Sequence, residues 1–398
     1  MAVIGPLSGS ASGLSCFEHR LDKVPLDLSP SLTPISNMQV ERPRLTYLIS
    51  SLQIGGAERG MARLLEGLVN DYDVTVVALR GGDRGIVGEL PDTVRVLDLD
   101  IHSLWDVIEL RHLCRELTNT DILVCSLYHA AVIGAVVGWA TQVPAVVTWQ
   151  HNERFENRRR RILYGLVARL SDQVLADSET VRTMIQRTYS LPDWKVRTVP
   201  IAGIDIERFA PRTDMNDADT TGDDGVTKVG ILGRLLEQKN HEAVLMAADR
   251  LRDEPIRFEI AGQGPRESVL RDRARERGLK DVRFRGFVDN APAFLNELDI
   301  YVQPSHYEGL CMTVLEAMAC GLPVVGTAVG GLTETVLDGD TGYLVDPGDQ
   351  ETFVDRIREL HLSPKLRVQF GRRARERVVE RYSSEILIAE FRTALNTI

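Results

Sequence analysis

From Leu45 onward, short apolar and β-branched runs alternate with longer stretches of helical period. The runs are LTYLISSL, VTVVAL, VRVLDL, DILVCSL, PAVVTW, QVLADS and VRTVPI. Strands of this length, apolar throughout and separated by amphipathic helices, predict a parallel sheet covered on both faces. A second series begins at Lys228 with KVGILG, IRFEIAG, VRFRGFV, DIYVQPS, PVVGTAV and GYLVD. Between the two lies RTDMNDADTTGDDGVT, acidic, polar and glycine-bearing, which has the character of a linker or long surface loop. The expected architecture is therefore α/β: two doubly wound, Rossmann-like domains facing across a cleft. Its parts are a flexible leader over 1–43, a first domain over 44–211, an acidic join over 212–226, a second domain over 227–362, and a helical segment over 363–398 with room to cross back to the first domain. The leader is rich in Ser, Pro, Gly and Leu, lacks a sustained period and carries no identifiable chemistry.

Length agrees with this division, since 398 residues make roughly two to three domains at about 100 to 200 residues each. Charge narrows the partners: 47 basic against 57 acidic residues leave a net charge of -10, which disfavours a dedicated nucleic-acid binder. The five cysteines, Cys16, Cys114, Cys125, Cys311 and Cys320, are scattered without CxxC spacing and read as reduced thiols of a cytoplasmic protein. No signal peptide is evident at the N-terminus. The most apolar stretch, Ala130 to Val147, is interrupted by Thr141, Gln142 and Pro144 and is not expected to span a bilayer.

In open parallel sheets, ligands bind beyond the carboxyl ends of the strands, so the cleft is where chemistry is expected. Gly233-Arg234 and Gln238-Lys239-Asn240 place two cations after a strand and at the start of a helix. Cations oppose the helix dipole there, so a bound diphosphate explains them better than a solvated basic pair. The segment HYEGLCMTVLEAMACGLPVVGTAVGG carries Glu308 and Glu316. Its helix is predicted to start near Cys311 to Thr313. Amides around Gly309, Leu310, Cys311, Met312 and Thr313 then face phosphate oxygens, Glu316 reaches a ribose hydroxyl, and Glu308 accepts from sugar hydroxyls. Glu316 lies among Val314, Leu315, Ala317 and Met318, an apolar setting that a purely structural carboxylate would not favour.

Other features are less specific. Gly262-Gln263-Gly264-Pro265 lacks the third glycine of a dinucleotide fingerprint and, like Ala328 to Gly331, reads as a tight turn. Gly55-Gly56 suits close backbone approach to a ligand or a simple turn. His129 and His151 both follow strands of the first domain and are expected to face the cleft, His129 on the acceptor side with Gly55 and Gly56. Paired aspartates at 71/73, 98/100, 217/219 and 338/340 adjoin none of these motifs, so charge neutralisation is assigned to Arg234 and Lys239 and no metal site is expected. Arg158 to Arg161 open a helix whose Ile162, Leu163, Leu166, Val167 and Leu170 form an apolar stripe. A core-facing helix with a charged outer face and a helix docking on an anionic membrane both fit.

With these residues assembled, the chain resembles the retaining glycosyltransferases of family 4, which have the GT-B fold. The resemblance covers nearly everything after residue 43. It rests on Gly55-Gly56-Ala57-Glu58-Arg59, the segment around His151, VPIAGIDIERFAP, GRLLEQKN, EGLCMTVLEAMACGLPVV and GYLVDPGD. It implies transfer of a sugar from a UDP- or GDP-type nucleotide sugar, which is a substrate rather than a cofactor, with retention and without a metal. The acceptor is then a glycan or lipid-linked molecule of surface polysaccharide or glycoconjugate synthesis, reached from the inner face of a membrane. By the same resemblance Arg234 and Lys239 bind the diphosphate, Glu308 contacts the donor sugar, Glu316 holds the ribose, His151 lies near the reacting sugar, and Gly55 and Gly56 form the acceptor-side loop. The chain departs from the family's pattern at Ala202, where asparagine is frequent, and carries a variable choice at Cys311. Two other readings share the architecture. A nucleotide-sugar epimerase would turn over without an acceptor, and a non-catalytic membrane-docked assembly protein would bind nucleotide without releasing sugar.

Overall fold

The computed structural model describes residues 42–82, 84–102, 106–151, 157–212 and 225–398. The expected leader up to residue 41, and residues 213–224 of the expected join, lie outside the described residues. Every apolar run is a strand. β1 Arg44–Ile49, β2 Asp73–Ala78, β3 Arg95–Asp98, β4 Ile122–Ser126, β5 Ala145–Gln150, β6 Gln173–Ala176 and β7 Val196–Thr198 form one sheet in the order β3-β2-β1-β4-β5-β6-β7. β8 Thr227–Leu232, β9 Ile256–Ala261, β10 Val282–Gly286, β11 Ile300–Gln303, β12 Val324–Thr327 and β13 Gly342–Val345 form a second, ordered β10-β9-β8-β11-β12-β13. All neighbouring strands are parallel. Strand order reverses beside β1 and beside β8, and a crevice opens at such switch points.

The first sheet is covered by α1 Gly56–Leu68, α2 Val107–Leu117, α3 Tyr128–Ala140, α4 Arg158–Leu170 and α5 Glu179–Tyr189. The second carries α6 His241–Arg250, α7 Glu267–Glu276, α8 Ala291–Asn296, α9 Met312–Ala319, α10 Leu332–Thr335, α11 Gln350–Leu362 and α12 Pro364–Arg381; α13 Ser384–Leu395 follows. The strands alternate their side chains between two cores. Leu48, Val77 and Cys125 join one face of the first sheet, while Tyr47, Ile49, Val76 and Val124 join the other. The apolar stretch from Ala130 is α3 running into β5. Gly134 lets α3 lie so close to the sheet that an added Cβ would strike Cys125 Sγ, and the helix is buried within the first domain. Among the described residues no helix is long and apolar enough to cross a membrane.

The chain changes domain earlier than its composition suggests. Val199 and Ile201 belong to the first domain's core, whereas Ala202, Ile204 and Phe209 already pack in the second, ahead of the expected join. Gly203, at φ 51°, makes this turn against Leu387, where a Cβ would be 2.7 Å from Cδ2. The return strand pairs with the outgoing one: Ile204 N donates to Tyr382 O at 2.8 Å and Ser384 N to Ile204 O at 3.1 Å. The helical segment expected over 363–398 therefore divides at this crossing. Phe370, Ala374 and Val378 of α12 stay on the second domain. Leu387, Phe391 and Ala394 of α13 enter the first domain's core, with the Phe391 ring stacked on Trp149 at 5.6 Å.

α4 differs from a core-facing amphipathic helix. Its inward side is Tyr164, Gly165, Val167 and Ala168. Ile162, Leu163 and Leu166 point outward, exposed to 64%, 40% and 50%. Small residues on the packed side let α4 lie close to the domain, and that frees the larger aliphatics for the surface. Arg158 and Arg159 share the exposed side, whereas Arg160 turns its guanidinium over the Tyr128 ring at 4.9 Å.

Candidate functional site

A cavity of about 550 Å³ opens between the carboxyl edges of the two sheets. Gly55, Gly56, Arg59, Arg63 and Glu89 line it from the first domain, and Ala202 to Asp205 with Arg208 from the crossing segment. Gly233, Arg234, Lys239, Glu308, Leu310 to Thr313 and Glu316 line it from the second. Gly56 touches α9 directly, since a Cβ there would be 3.0 Å from Met312 Cγ.

The second-domain wall is built by loops that fix one another. After β8 the chain turns through Arg234 and a short 3-10 turn ending at Lys239, and Asn240 adopts φ 50° before α6 begins. Asn240 Nδ2 donates to Pro304 O at 3.0 Å, Gln238 Nε2 to Tyr307 O at 2.9 Å, and His306 N to Gln238 O at 2.8 Å. This loop is thereby sewn to the one after β11. Gly262 backs it so closely that a Cβ would overlap Gly233 O, at a φ of 129° open to glycine.

Within that frame Lys239 Nζ donates to Glu308 Oε1 at 2.8 Å. The same oxygen accepts from Ser305 Oγ at 2.6 Å and Gln303 Nε2 at 3.2 Å. Burial pulls the ammonium's pKa down, but the Cys311 sulfur and the Glu308 carboxylate more than offset this, and the pKa is pushed up to about 12. Lys239 is thus a fixed cation at the floor of the cavity. Arg234 at its edge is exposed and has no ion-pair partner among the described residues. Cys311 stands at the N-cap of α9, and Met312 and Thr313 of its first turn line the same space.

Glu316 is the anomaly of the site. It is 4% exposed, and its Oε2 has no hydrogen-bond partner among the described residues. Burial pushes its pKa up to about 7, against the lowering effect of Arg59 and Arg208. A buried carboxylate oxygen without a donor is costly in an isolated protein and is suited to a ligand hydroxyl.

The remaining candidates lie off the cavity wall. His151 is 8% exposed and both ring nitrogens are engaged. Nδ1 lies 2.8 Å from Asp177 Oδ2 and Nε2 lies 2.7 Å from Ser126 Oγ. His129 begins α3, edge-on to Tyr128 at 5.5 Å. Gly309 accepts from the Gly331 amide at 3.1 Å through its carbonyl. The aspartate pairs are elsewhere: Asp71 meets Arg392 at 2.5 Å, Asp98 meets Arg84 at 3.2 Å and Asp340 meets Arg373, while Asp217 is outside the described residues. Sequence reasoning overlooked Arg59 and Arg208 as wall residues, although both stand inside motifs it singled out.

A family model described as Glycosyltransferase Family 4 matches residues 54–208, and one described as Glycosyl transferases group 1 matches 214–377. Over 135 residues the chain is 36% identical to N-acetyl-alpha-D-glucosaminyl L-malate synthase of Bacillus anthracis, covering 34% of this chain and 35% of that protein. Over 390 residues it is 27% identical to D-inositol 3-phosphate glycosyltransferase of Pseudarthrobacter chlorophenolicus, covering 93% and 86%. The crystal structure of Anabaena HepE in complex with UDP superposes with a TM-score of 0.78 at 19% identity, over 89% of this chain and 100% of that one. A further HepE structure holds UDP-glucose.

Proposed function

Because the chain belongs to glycosyltransferase family 4, we propose that it transfers a sugar from a nucleoside-diphosphate sugar to a glycan or lipid-linked acceptor, with retention and without a metal. The observation that carries this reading is the joint presence, in one cavity, of Arg234, the Lys239–Glu308 pair, the start of α9 and the unpartnered Glu316. The UDP and UDP-glucose bound by HepE support uridine as the base.

In this scheme the diphosphate lies against Arg234, Lys239 and the first amides of α9, and the ribose donates a hydroxyl to Glu316. Glu308, with three donors on Oε1, keeps Oε2 for the donor sugar. As the C1–O bond breaks, the bonding pair passes to the departing phosphate oxygen, and the fixed cations meet that charge without reorganising. Attack by the acceptor hydroxyl on the same face forms the new C1–O bond and gives its proton to the departing phosphate oxygen.

UDP is expected to raise the melting temperature of the wild type, by about 2.7 kcal/mol of stability at 100 times the dissociation constant. For Arg234→Ala the shift shrinks by the equivalent of about 2 kcal/mol, the order of one charged hydrogen-bonding partner. A panel of UDP, GDP, ADP and their sugars that produces no shift in the wild type refutes the reading.

The outward face of α4 supplies the membrane part of the proposal. Exposed arginines beside three exposed aliphatics, on a protein of net charge -10, suit an anionic bilayer surface. Replacing Arg158 and Arg159 by alanine is expected to weaken partitioning onto phosphatidylglycerol vesicles about thirtyfold, at roughly 1 kcal/mol per arginine. Sedimentation of the wild type that is no greater with phosphatidylglycerol than with phosphatidylcholine vesicles removes this part.

A further inference from the structure

The two domains also meet outside the cavity, beside the crossing segments. Glu334 of α10, in the second domain, directs its carboxylate at the start of α5 in the first. Oε2 accepts from the Glu179 amide at 2.8 Å; Oε1 accepts from the Thr180 amide at 2.7 Å and the Thr180 hydroxyl at 2.5 Å. α5 already has a cap of its own, Ser178 Oγ accepting from Val181 N at 3.2 Å. Glu334 therefore takes up the amides that cap leaves open and brings negative charge to the positive end of the helix.

One end of this contact is anchored to the cavity wall and the other adjoins the buried Asp177–His151 pair. On the second-domain side, Arg377 Nη2 donates to Glu334 O at 2.5 Å and its Nε to Thr335 O at 2.9 Å. Just before α10, the Gly331 amide donates to Gly309 O, and a Cβ on Gly330 would overlap Glu308 O. α10 is thus packed against the loop that holds Glu308 and cannot shift independently of it. On the first-domain side, Glu179 and Thr180 follow Asp177 by two and three residues, and Asp177 holds His151.

We propose that Glu334 is a positioning residue: an interdomain strut that fixes the angle between the domains and couples the Glu308 loop to the Asp177–His151 pair. The strut lies close to the crossing segments, since Tyr382 Oη reaches Glu334 O at 3.4 Å. Near a pivot, a displacement of a few tenths of an ångström becomes a larger one at the cavity. Its effect on rate rests on the glycosyl-transfer reading; its existence does not.

The test compares wild type, Thr180→Val, Glu334→Gln and Glu334→Ala. In ligand-free protein, hydrogen exchange at the Glu179 and Thr180 amides is expected to be slow in the wild type and at least tenfold faster in Glu334→Ala. Glu334→Gln, which keeps one acceptor oxygen, and Thr180→Val, which loses only the hydroxyl bond, fall between. Small-angle scattering should show a wider domain separation in Glu334→Ala. In turnover, kcat falls about tenfold while the dissociation constant for UDP changes less than threefold, a split that general destabilisation does not produce. Equal amide exchange in wild type and Glu334→Ala overturns the strut; should that variant fail to fold, equal exchange in Glu334→Gln and Thr180→Val overturns it. Wild-type protein that binds no UDP refutes the glycosyl-transfer reading instead and leaves the exchange result to decide the strut.

Discussion

Lys239→Met is expected to lower kcat/KM for sugar transfer by a hundred- to a thousandfold, the scale of losing one preorganised group that stabilises transition-state charge. The wild-type ammonium, held at a pKa of about 12, is charged at any working pH. Methionine keeps the chain's bulk but removes one of the two cations proposed to face the leaving diphosphate. It also leaves the buried Glu308 carboxylate with only Ser305 and Gln303 as donors. Removing one partner of a buried ion pair costs about 3 to 5 kcal/mol, and the two remaining hydrogen bonds hold the expected loss to the lower end. Stability and catalysis separate in the double variant Lys239→Met with Glu308→Gln. Melting temperature should recover, because no buried charge is left unpaired, while transfer stays low. Rates within a few-fold of wild type in the single variant would refute the leaving-group role.

Glu316→Gln should act in opposite directions on stability and binding. The folded-state pKa of Glu316 lies near 7, above its unfolded value of 4.5, so the folded protein binds the extra proton between these limits. Whatever stability this group gives is complete below pH 4.5 and is lost as pH rises through 7. At 1.36 kcal/mol per unit the loss is about 3 kcal/mol. Glutamine does not titrate, so denaturant unfolding should show the variant gaining on the wild type by about that amount between pH 4.5 and 8. UDP affinity should fall, because a neutral amide is a weaker acceptor for the ribose hydroxyl. In the wild type a hydroxyl donated to Glu316 favours its ionised form, so UDP binding near pH 7 should release a fraction of a proton. Calorimetry in buffers of different ionisation enthalpy measures it; parallel stability curves for the two proteins would disprove the assignment.

The fold was legible because the central strands are short apolar runs whose burial on both faces leaves no competing period; the edge strands β3 and β10 are partly exposed and carry charges. That Arg234, Lys239, Glu308 and Glu316 share one cavity wall was legible for a similar reason: they stand in two short motifs, each placed by a single strand-to-helix turn. What escaped reading depends on pairs brought together from distant strands. Lys239 and Glu308 are 69 positions apart, and nothing local says that they bond. His151 stood out as a candidate, but Ser126 and Asp177, which occupy its two nitrogens, stand at the ends of different strands. α4 shows a further limit. Its apolar stripe was visible, yet which side faces inward was decided by Gly165 and Ala168, whose small size permits close packing and carries little hydrophobic signal. Glu334 gave no signal, since its partners are backbone amides of the other domain.

The stack of Phe391 on Trp149 bears on how the protein is made. The first domain's strands leave the ribosome before the second domain does, yet the part of one sheet face that α1 does not cover waits until α13 has been synthesised, after the whole second domain. Synthesis and completion thus run in opposite orders, and the first domain spends much of translation with the apolar patch around Trp149 bare, a natural client for a holding chaperone.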